Sequence, residues 1–278
     1  MLKRVVSIQD ISCLGKCSLT VALPIISAMG HETCIVPTAV LSAHTAFSNF
    51  TFRDLTSDIT PISDHWKKEK FHFDAIYTGY LGSFEQIDLM KQFFDDFKSE
   101  NTLIFVDPAM ADNGVLYKGF TPEFAKHMGT LCAKADMIVP NMTEASFILG
   151  IPYRQDYDEA YVKNVLKQLA DLGAKYTVLT GISLNPGKLG VMAYDKTMDE
   201  FFYYENEHLP VSFHGTGDVF ASSCCGALTA GFSYKEALKI ATDYTVECIK
   251  KTIEEKEHIW YGVDFEAAIP YLLRRIGK

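Results

Sequence analysis

Residues 4–36 read RVVSIQDISCLGKCSLTVALPIISAMGHETCIV. A short apolar run over 4–8 leads through a polar, glycine-bearing stretch into a helical segment at 18–29. A second apolar run follows at 33–36. Continuous apolar runs of this length are the pattern of strands buried on both faces. The motif repeats down the chain. Further strand candidates lie at 75–78, 103–106, 137–139 and 177–179, with helix candidates at 84–98, 122–133, 143–149 and 158–172. Strand and helix in alternation predict an α/β fold, a central, mainly parallel sheet with helices on both faces and right-handed crossovers.

Two regions break the alternation. Residues 45–59 are polar and aromatic with no clear helix, and read as a flap or a small extra strand pair. Residues 190–205 alternate and are rich in Tyr and Phe, which predicts an antiparallel hairpin at one end of the sheet. Beyond Gly217 the chain reads as helical over 219–230, 234–254 and 265–275. With no linker, repeat or low-complexity segment, the expectation is a single domain over 1–278.

Composition narrows the function classes. Of the 278 residues, 48% are hydrophobic and 22% charged, ordinary globular usage that excludes disorder as the main theme. The net charge of −9, with no basic block, disfavours nucleic acid as a partner. No apolar run reaches about 18 residues, so no membrane helix is expected. The N-terminal apolar stretch is too short for a signal peptide. Seven cysteines, an odd number, argue against a disulfide framework and for a reducing, cytoplasmic setting. Cys13 and Cys17 lack a second pair for zinc, and most of the seven read as small buried hydrophobes.

In open parallel sheets ligands bind at the carboxyl ends of the strands. There the sequence places Gln9-Asp10, Gly79-Tyr80, Asp107-Pro108, Pro140-Asn141 and Thr180-Gly181, and with them three carboxylates, Asp10, Asp107 and Glu144. The sharpest feature is Gly215-Thr216-Gly217-Asp218 at the head of a helix. Average composition puts this tetrapeptide in about one chain in 200 of this length, so it calls for a reason. Two glycines free backbone N–H groups to converge, and the helix N-terminus adds positive potential. The result is a cradle for negative charge that develops during transfer. Asp218 suits a base facing a substrate hydroxyl beside that cradle. A helix N-cap with a glycine turn is the plain alternative. Neither a Walker loop nor a Gly-x-Gly-x-x-Gly after the first strand is present.

Gly215-Thr216-Gly217-Asp218 resembles the signature of the ribokinase superfamily of small-molecule kinases, and Asn141-Met142-Thr143-Glu144 resembles its Asn-x-x-Glu motif. Within that superfamily the chain is most similar to the pyridoxal (vitamin B6) kinases, through Ser7-Ile8-Gln9, His44-Thr45, Thr78-Gly79-Tyr80, Asp107-Pro108 with Asp112, and Pro140-Asn141 with Glu144. These segments occur in family order over nearly the whole chain.

The resemblance implies a three-layer ribokinase-like fold and ATP-dependent phosphorylation of the hydroxymethyl group of pyridoxal, pyridoxine or pyridoxamine. Asp218 would be the base, and Gly215, Thr216 and Gly217 the anion hole. Asp107, Asp112, Asn141, Thr180 and Lys188 would lie by the nucleotide and its phosphates. Glu144 and Asp107 would hold Mg²⁺, with a monovalent cation such as K⁺ a further candidate. Asp10, His44, Thr45 and Tyr80 would line the vitamin ring pocket. A homodimer is also implied. The chain departs from the family at Asp10, where a carboxylate replaces the usual Ser, and at Ala43 and Val139. Hydroxymethylpyrimidine or its phosphate is the alternative substrate, and a non-catalytic ligand sensor on the same fold is the alternative class.

Overall fold

The computed structural model describes every residue except Met1, Lys256 and His258. The chain begins with β1 (Arg4–Ser12), α1 (Leu19–Ala28), β2 (Glu32–Leu41), β3 (Phe52–Asp54), α2 (Thr56–Lys68) and β4 (Ala75–Thr78). It continues through α3 (Phe84–Phe97), β5 (Leu103–Val106), β6 (Ala111–Asp112), β7 (Val115–Leu116), α4 (Pro122–Cys132), β8 (Met137–Ile138), α5 (Met142–Leu149) and α6 (Glu159–Asp171). After β9 (Tyr176–Ile182), β10 (Lys188–Asp195) and β11 (Glu200–Glu207), it ends in α7 (Thr216–Ala230), α8 (Tyr234–Glu254) and α9 (Phe265–Arg275). This is the expected α/β fold, with a large, mostly parallel sheet, helices around it and a small separate hairpin. The chain divides into two compact units, Met1–Tyr77 with Leu209–Lys278, and Thr78–His208.

In the first unit the strand order is β4-β1-β2-β3. β1 and β2 run parallel, and β3 is added antiparallel at the edge. Val5, Val6 and Ile8 of β1 are wholly buried, as an apolar run covered on both faces requires. The register slips between Gln9 and Ile11, opposite Pro37 and Val40, so β2 carries one extra residue beside Asp10. Such bulges re-aim side chains and recur next to active sites. α7, a run of small residues buried along most of its length, packs against α1 and α8.

In the second unit the order is β11-β10-β9-β8-β5, with β5, β8 and β9 parallel and β10 and β11 antiparallel. The Tyr/Phe-rich segment is thus the expected end hairpin, with Val191 opposite Tyr204 and Tyr194 opposite Phe201.

The structure corrects three readings. β1 runs on through Ser12, so Gln9 and Asp10 lie within the strand rather than after it. β9 likewise contains Thr180 and Gly181. Residues 45–59 do supply a short extra strand, β3, but a thirteen-residue helix, α2, then begins at Thr56.

Candidate active site

The glycine loop heads α7 as expected. Gly215 is its N-terminal flanking residue at φ 79°, and a Cβ there would run into the Lys16 carbonyl. Only glycine permits both the left-handed backbone and that approach. Asp218 falls in the first turn of α7. Burial pushes its carboxyl up to about 7; the Ser18 N–H opposes the shift and the charge of Asp10 adds to it. A carboxylate poised near neutrality is what a general base at physiological pH needs.

Asp10 is 5% exposed, and burial raises its pKa as well. Ser12 Oγ donates to Asp10 Oδ2 at 3.1 Å, and the Ser18 hydroxyl also favours the ionised form. The carboxylate is therefore served by its own neighbourhood, so pairing with a substrate cation is not needed to satisfy it. The Cys17 thiol lies against both carboxylates. Burial and the two negative charges push its pKa up, which makes it a poor nucleophile.

His44 is the hub of an aromatic cluster. The Ala46 N–H donates to His44 Nδ1 at 3.2 Å, so the proton sits on Nε2, which donates to the Tyr261 carbonyl at 3.0 Å. Both ring nitrogens are thus in use, and the imidazole can offer a substrate its face or edge but no free nitrogen. Burial lowers its pKa, and the neighbouring His214 acts in the same direction. Phe47 lies 4.9 Å and His214 5.0 Å from the His44 ring, and the Trp260 ring packs tilted at 4.6 Å from Phe47. Trp260 is 56% exposed and His214 is exposed, so an aromatic surface faces solvent beside the residue that precedes Gly215.

The second unit carries the Asn-x-x-Glu motif as a complete capping box on α5. Asn141 Oδ1 accepts from the Glu144 N–H at 2.9 Å, and Glu144 Oε2 accepts from the Asn141 N–H at 2.8 Å. The same two side chains grip the β6–β7 hairpin. Glu144 Oε1 accepts from the Met110 N–H at 3.1 Å, and Asn141 Nδ2 donates to the Ala111 carbonyl at 2.9 Å. The Gly114 N–H adds a bond to Thr143 Oγ1 at 3.0 Å. Glu144 is 4% exposed; burial and then the charge of Asp107 push its pKa well up.

Two buried carboxylates bearing on one another call for a cation. Mg²⁺ fits this donor set, because it takes one or two carboxylates and keeps waters and substrate phosphates for its remaining positions. Among the described residues no three His, Cys, Asp or Glu side chains form a metal-holding group.

Thr180 and Asn141 form a parallel bridge, and the Thr180 N–H donates to the Pro140 carbonyl at 3.0 Å. The motif and the nucleotide-side candidate thus meet. Lys188 opens β10, is exposed, and its charge bears on Glu205. Asp112 is exposed and accepts from the Asn113 N–H at 2.8 Å. Tyr80 packs its ring 5.5 Å from Phe120. Thr45 is exposed in the loop after His44. A cleft of about 380 Å³ is lined by Tyr157, Leu184, Asn185 and Tyr203, with the acidic Asp158 and Glu159 at its side. The Tyr157 hydroxyl donates to the Gly181 carbonyl at 3.4 Å.

Sequence reasoning missed Ser12 as the partner of Asp10, although it lies only two residues on, in the same strand. It also missed Phe47, His214 and Trp260. Their signal was three aromatic residues in segments without strand or helix periodicity.

Comparison with known proteins bears on the whole chain. Residues 23–261 match the family model described as Phosphomethylpyrimidine kinase. The pyridoxal kinase of Dictyostelium discoideum is 27% identical over 265 residues, covering 89% of this chain and 82% of the relative. A Bacteroides thetaiotaomicron protein solved in an orthorhombic form with pyridoxal superposes with a TM-score of 0.93 at 38% identity, covering 98% of this chain and 96% of that one. The pyridoxal kinase of Lactobacillus plantarum superposes with a TM-score of 0.91 at 28% identity, covering 99% and 98%. A match over more than four-fifths of the sequence shows that the chain belongs to the phosphomethylpyrimidine kinase family of the ribokinase-like superfamily.

Proposed function

We propose that this protein is an ATP-dependent kinase that phosphorylates the hydroxymethyl group of pyridoxal, pyridoxine or pyridoxamine. The observation that carries the reading is Asp218 in the first turn of α7, behind a glycine loop, with its carboxyl pushed up to about 7. Asp218 takes the proton of the substrate hydroxyl as that oxygen attacks the γ-phosphorus, the bond from the γ-phosphorus to the bridging oxygen breaks, and ADP leaves with its electron pair. The N–H groups of Gly215, Thr216 and Gly217 hold the charge that develops on the transferred group. Asp107, Asp112, Asn141, Thr180 and Lys188 form the nucleotide and phosphate side. Glu144 and Asp107 would hold Mg²⁺, which when bound supplies charge neutralisation on the phosphate oxygens. Asp10, His44, Thr45 and Tyr80 form the ring side, and the exposed aromatic surface around Trp260 suits a planar heteroaromatic substrate.

The names of the relatives favour B6 vitamers, while the family description favours a pyrimidine. Coupled turnover with ATP decides between them, using pyridoxal, pyridoxine, pyridoxamine, hydroxymethylpyrimidine and its phosphate. Turnover of a vitamer is expected; turnover of the pyrimidines alone would overturn the substrate, and binding without turnover would point to a sensor. The same assay with and without KCl reads the monovalent-cation requirement.

The proposal extends to one kinase domain over 1–278, a homodimer and a cytoplasmic location. All seven cysteines are free, which suits a reducing compartment. No described helix is long and apolar enough to cross a membrane. Sedimentation of the purified chain reads its oligomeric state.

A further inference from the structure

The loop that follows β1 is packed more tightly than side chains at three glycine positions would permit. A Cβ on Gly15 would run into the His44 ring, one on Gly215 into the Lys16 carbonyl, and one on Gly262 into the Lys16 side-chain stem. Gly15 and Lys16 are therefore wedged between the ring-side histidine, the glycine loop and the segment before α9.

Lys16 is held at both ends. Its carbonyl lies against Gly215, the residue that opens the glycine loop. Its ammonium reaches Glu266 Oε2 at 2.6 Å and Asp264 Oδ1 at 3.7 Å, and sits 5.4 Å from the centre of the Phe265 ring. A lysine stem ordinarily carries its charge out into water. This one is laid against Gly262 and ends on the first turn of α9, 250 positions further along the chain. The same stretch serves the ring side. The Tyr261 carbonyl accepts from His44 Nε2 at 3.0 Å, and the His44 N–H donates to the Leu14 carbonyl at 3.1 Å. Thr20 Oγ1 donates to the Cys17 carbonyl at 2.8 Å and fastens the far end of the loop to α1. Residues 14–16 thus touch His44 on one side and Gly215 on the other, and residues 261–266 hold both His44 and Lys16.

We propose that Lys16 is the positioning residue of the glycine loop, with Glu266 and Asp264 as its anchor. The ion pairs fix the side chain, the side chain fixes the Lys16 backbone, and the Lys16 carbonyl sets where Gly215 and the N–H groups after it stand. This rests on the reading of Gly215, Thr216 and Gly217 as the anion hole beside the base Asp218. Lys16 meets no substrate in this role, because its charge is taken up by the two carboxylates. An anion hole works only where its donors already stand at the place where charge develops, so a shift of about 1 Å is costly.

Two substitutions test this. Lys16→Met keeps a stem against Gly262 and Phe265 and removes the charge; Glu266→Gln removes the nearer anchor and leaves Asp264. They are made singly and together, with Asp218→Asn alongside. The measurements are kcat, KM for ATP and for pyridoxal, and thermal midpoints. Lys16→Met should lose roughly ten- to a hundred-fold in kcat and Glu266→Gln less, with both KM values within about threefold of the wild type. The double variant should lose no more than Lys16→Met alone, since both act through one contact. Thermal midpoints should stay close to the wild type, because an ion pair with an exposed partner adds little to stability. A midpoint that falls in step with kcat would mean that Lys16 only supports the fold, and additive losses would mean that the two residues do not act together; either overturns the inference. So would a raised KM for ATP in Lys16→Met with wild-type kinetics in Glu266→Gln, which would show that Lys16 meets the nucleotide itself. Wild-type kcat in both single variants while Asp218→Asn is inactive would bring down this inference alone. Full activity of Asp218→Asn would bring down the base, and this inference with it.

Discussion

Asp218 joins chemistry and stability in one side chain. A free aspartate loses its proton near 3.9, whereas the folded chain holds this one to about 7. Between those values the folded state binds a proton that the unfolded state has released. This contribution to stability is therefore full below about pH 4 and is lost as pH rises through about 7. Asn cannot ionise, so Asp218→Asn should melt above the wild type at pH 8, with the gap closing toward pH 4. The same variant should lose roughly 10²–10⁴ in kcat with ATP binding retained. A lower melting point at pH 8 would contradict the burial argument; full turnover would contradict the role as base. His44 carries the opposite sign. Its pKa is lowered because its ring is buried, with His214 adding to the shift and the Tyr261 carbonyl opposing it, so it resists protonation, and its share of stability fades as pH falls. Nitrogen-15 spectra should show the Nε2–H tautomer at pH 7 and a titration midpoint below that of a free histidine. A midpoint at or above about 6.5 would mean that burial does not govern the ring.

At the scale of the element, α5 shows how a motif that resembles a family signature can also be a structural device. Asn141 and Glu144 cap the helix and together fasten the β6–β7 hairpin through the Ala111 carbonyl and the Met110 N–H. Asn141→Ala removes the cap acceptor and leaves the Ala111 carbonyl without its donor, so the fold should lose about 1–2 kcal/mol. Asn141→Asp keeps the acceptor and should lose less. Denaturant midpoints rank the two, and equal losses would mean that the cap acceptor carries nothing and the bond to Ala111 carries the whole loss. The sequence showed Asn141 and Glu144 as chemistry because their spacing matches a family motif; the same spacing is that of a capping box. The buried strands were legible because runs such as Val5-Val6 and Ile104-Phe105-Val106 have no other place to go. α2 was not. It contains Pro61, and among its thirteen residues only Ile59 and Ser63 are buried, so no apolar stripe marked it. The two-residue strands β6 and β7 were too short to carry any period. Asp10 was placed after its strand because a charged residue ordinarily ends a buried run; the register slip in β1 and β2 and the Ser12 hydroxyl let the strand continue past it.

For the whole molecule the question is whether the residues of the two compact units answer to one reaction. The first unit holds Asp10, His44 and Gly215–Asp218; the second holds Asp107, Asn141, Glu144 and Thr180. Within the second unit the parallel bridge already joins Asn141 to Thr180, although 39 positions separate them in the chain. A nucleotide held by that unit alone would slow amide exchange around residues 141 and 180 and leave residues 215–218 at their free rates. The proposed kinase makes a different demand, because the γ-phosphoryl has to meet the N–H groups of the glycine loop while the rest of the nucleotide is held. A non-hydrolysable ATP analogue with Mg²⁺ should therefore slow exchange at all three segments, and pyridoxal alone should slow residues 44–47 and 260–261 in the first unit. Local protection of this kind reports a rise in the free energy of opening, so it should grow with analogue concentration and saturate at the binding constant. Protection confined to one unit at saturation would show that the glycine loop does not take part in holding the phosphates, and the transfer assigned to Asp218 would fall with it.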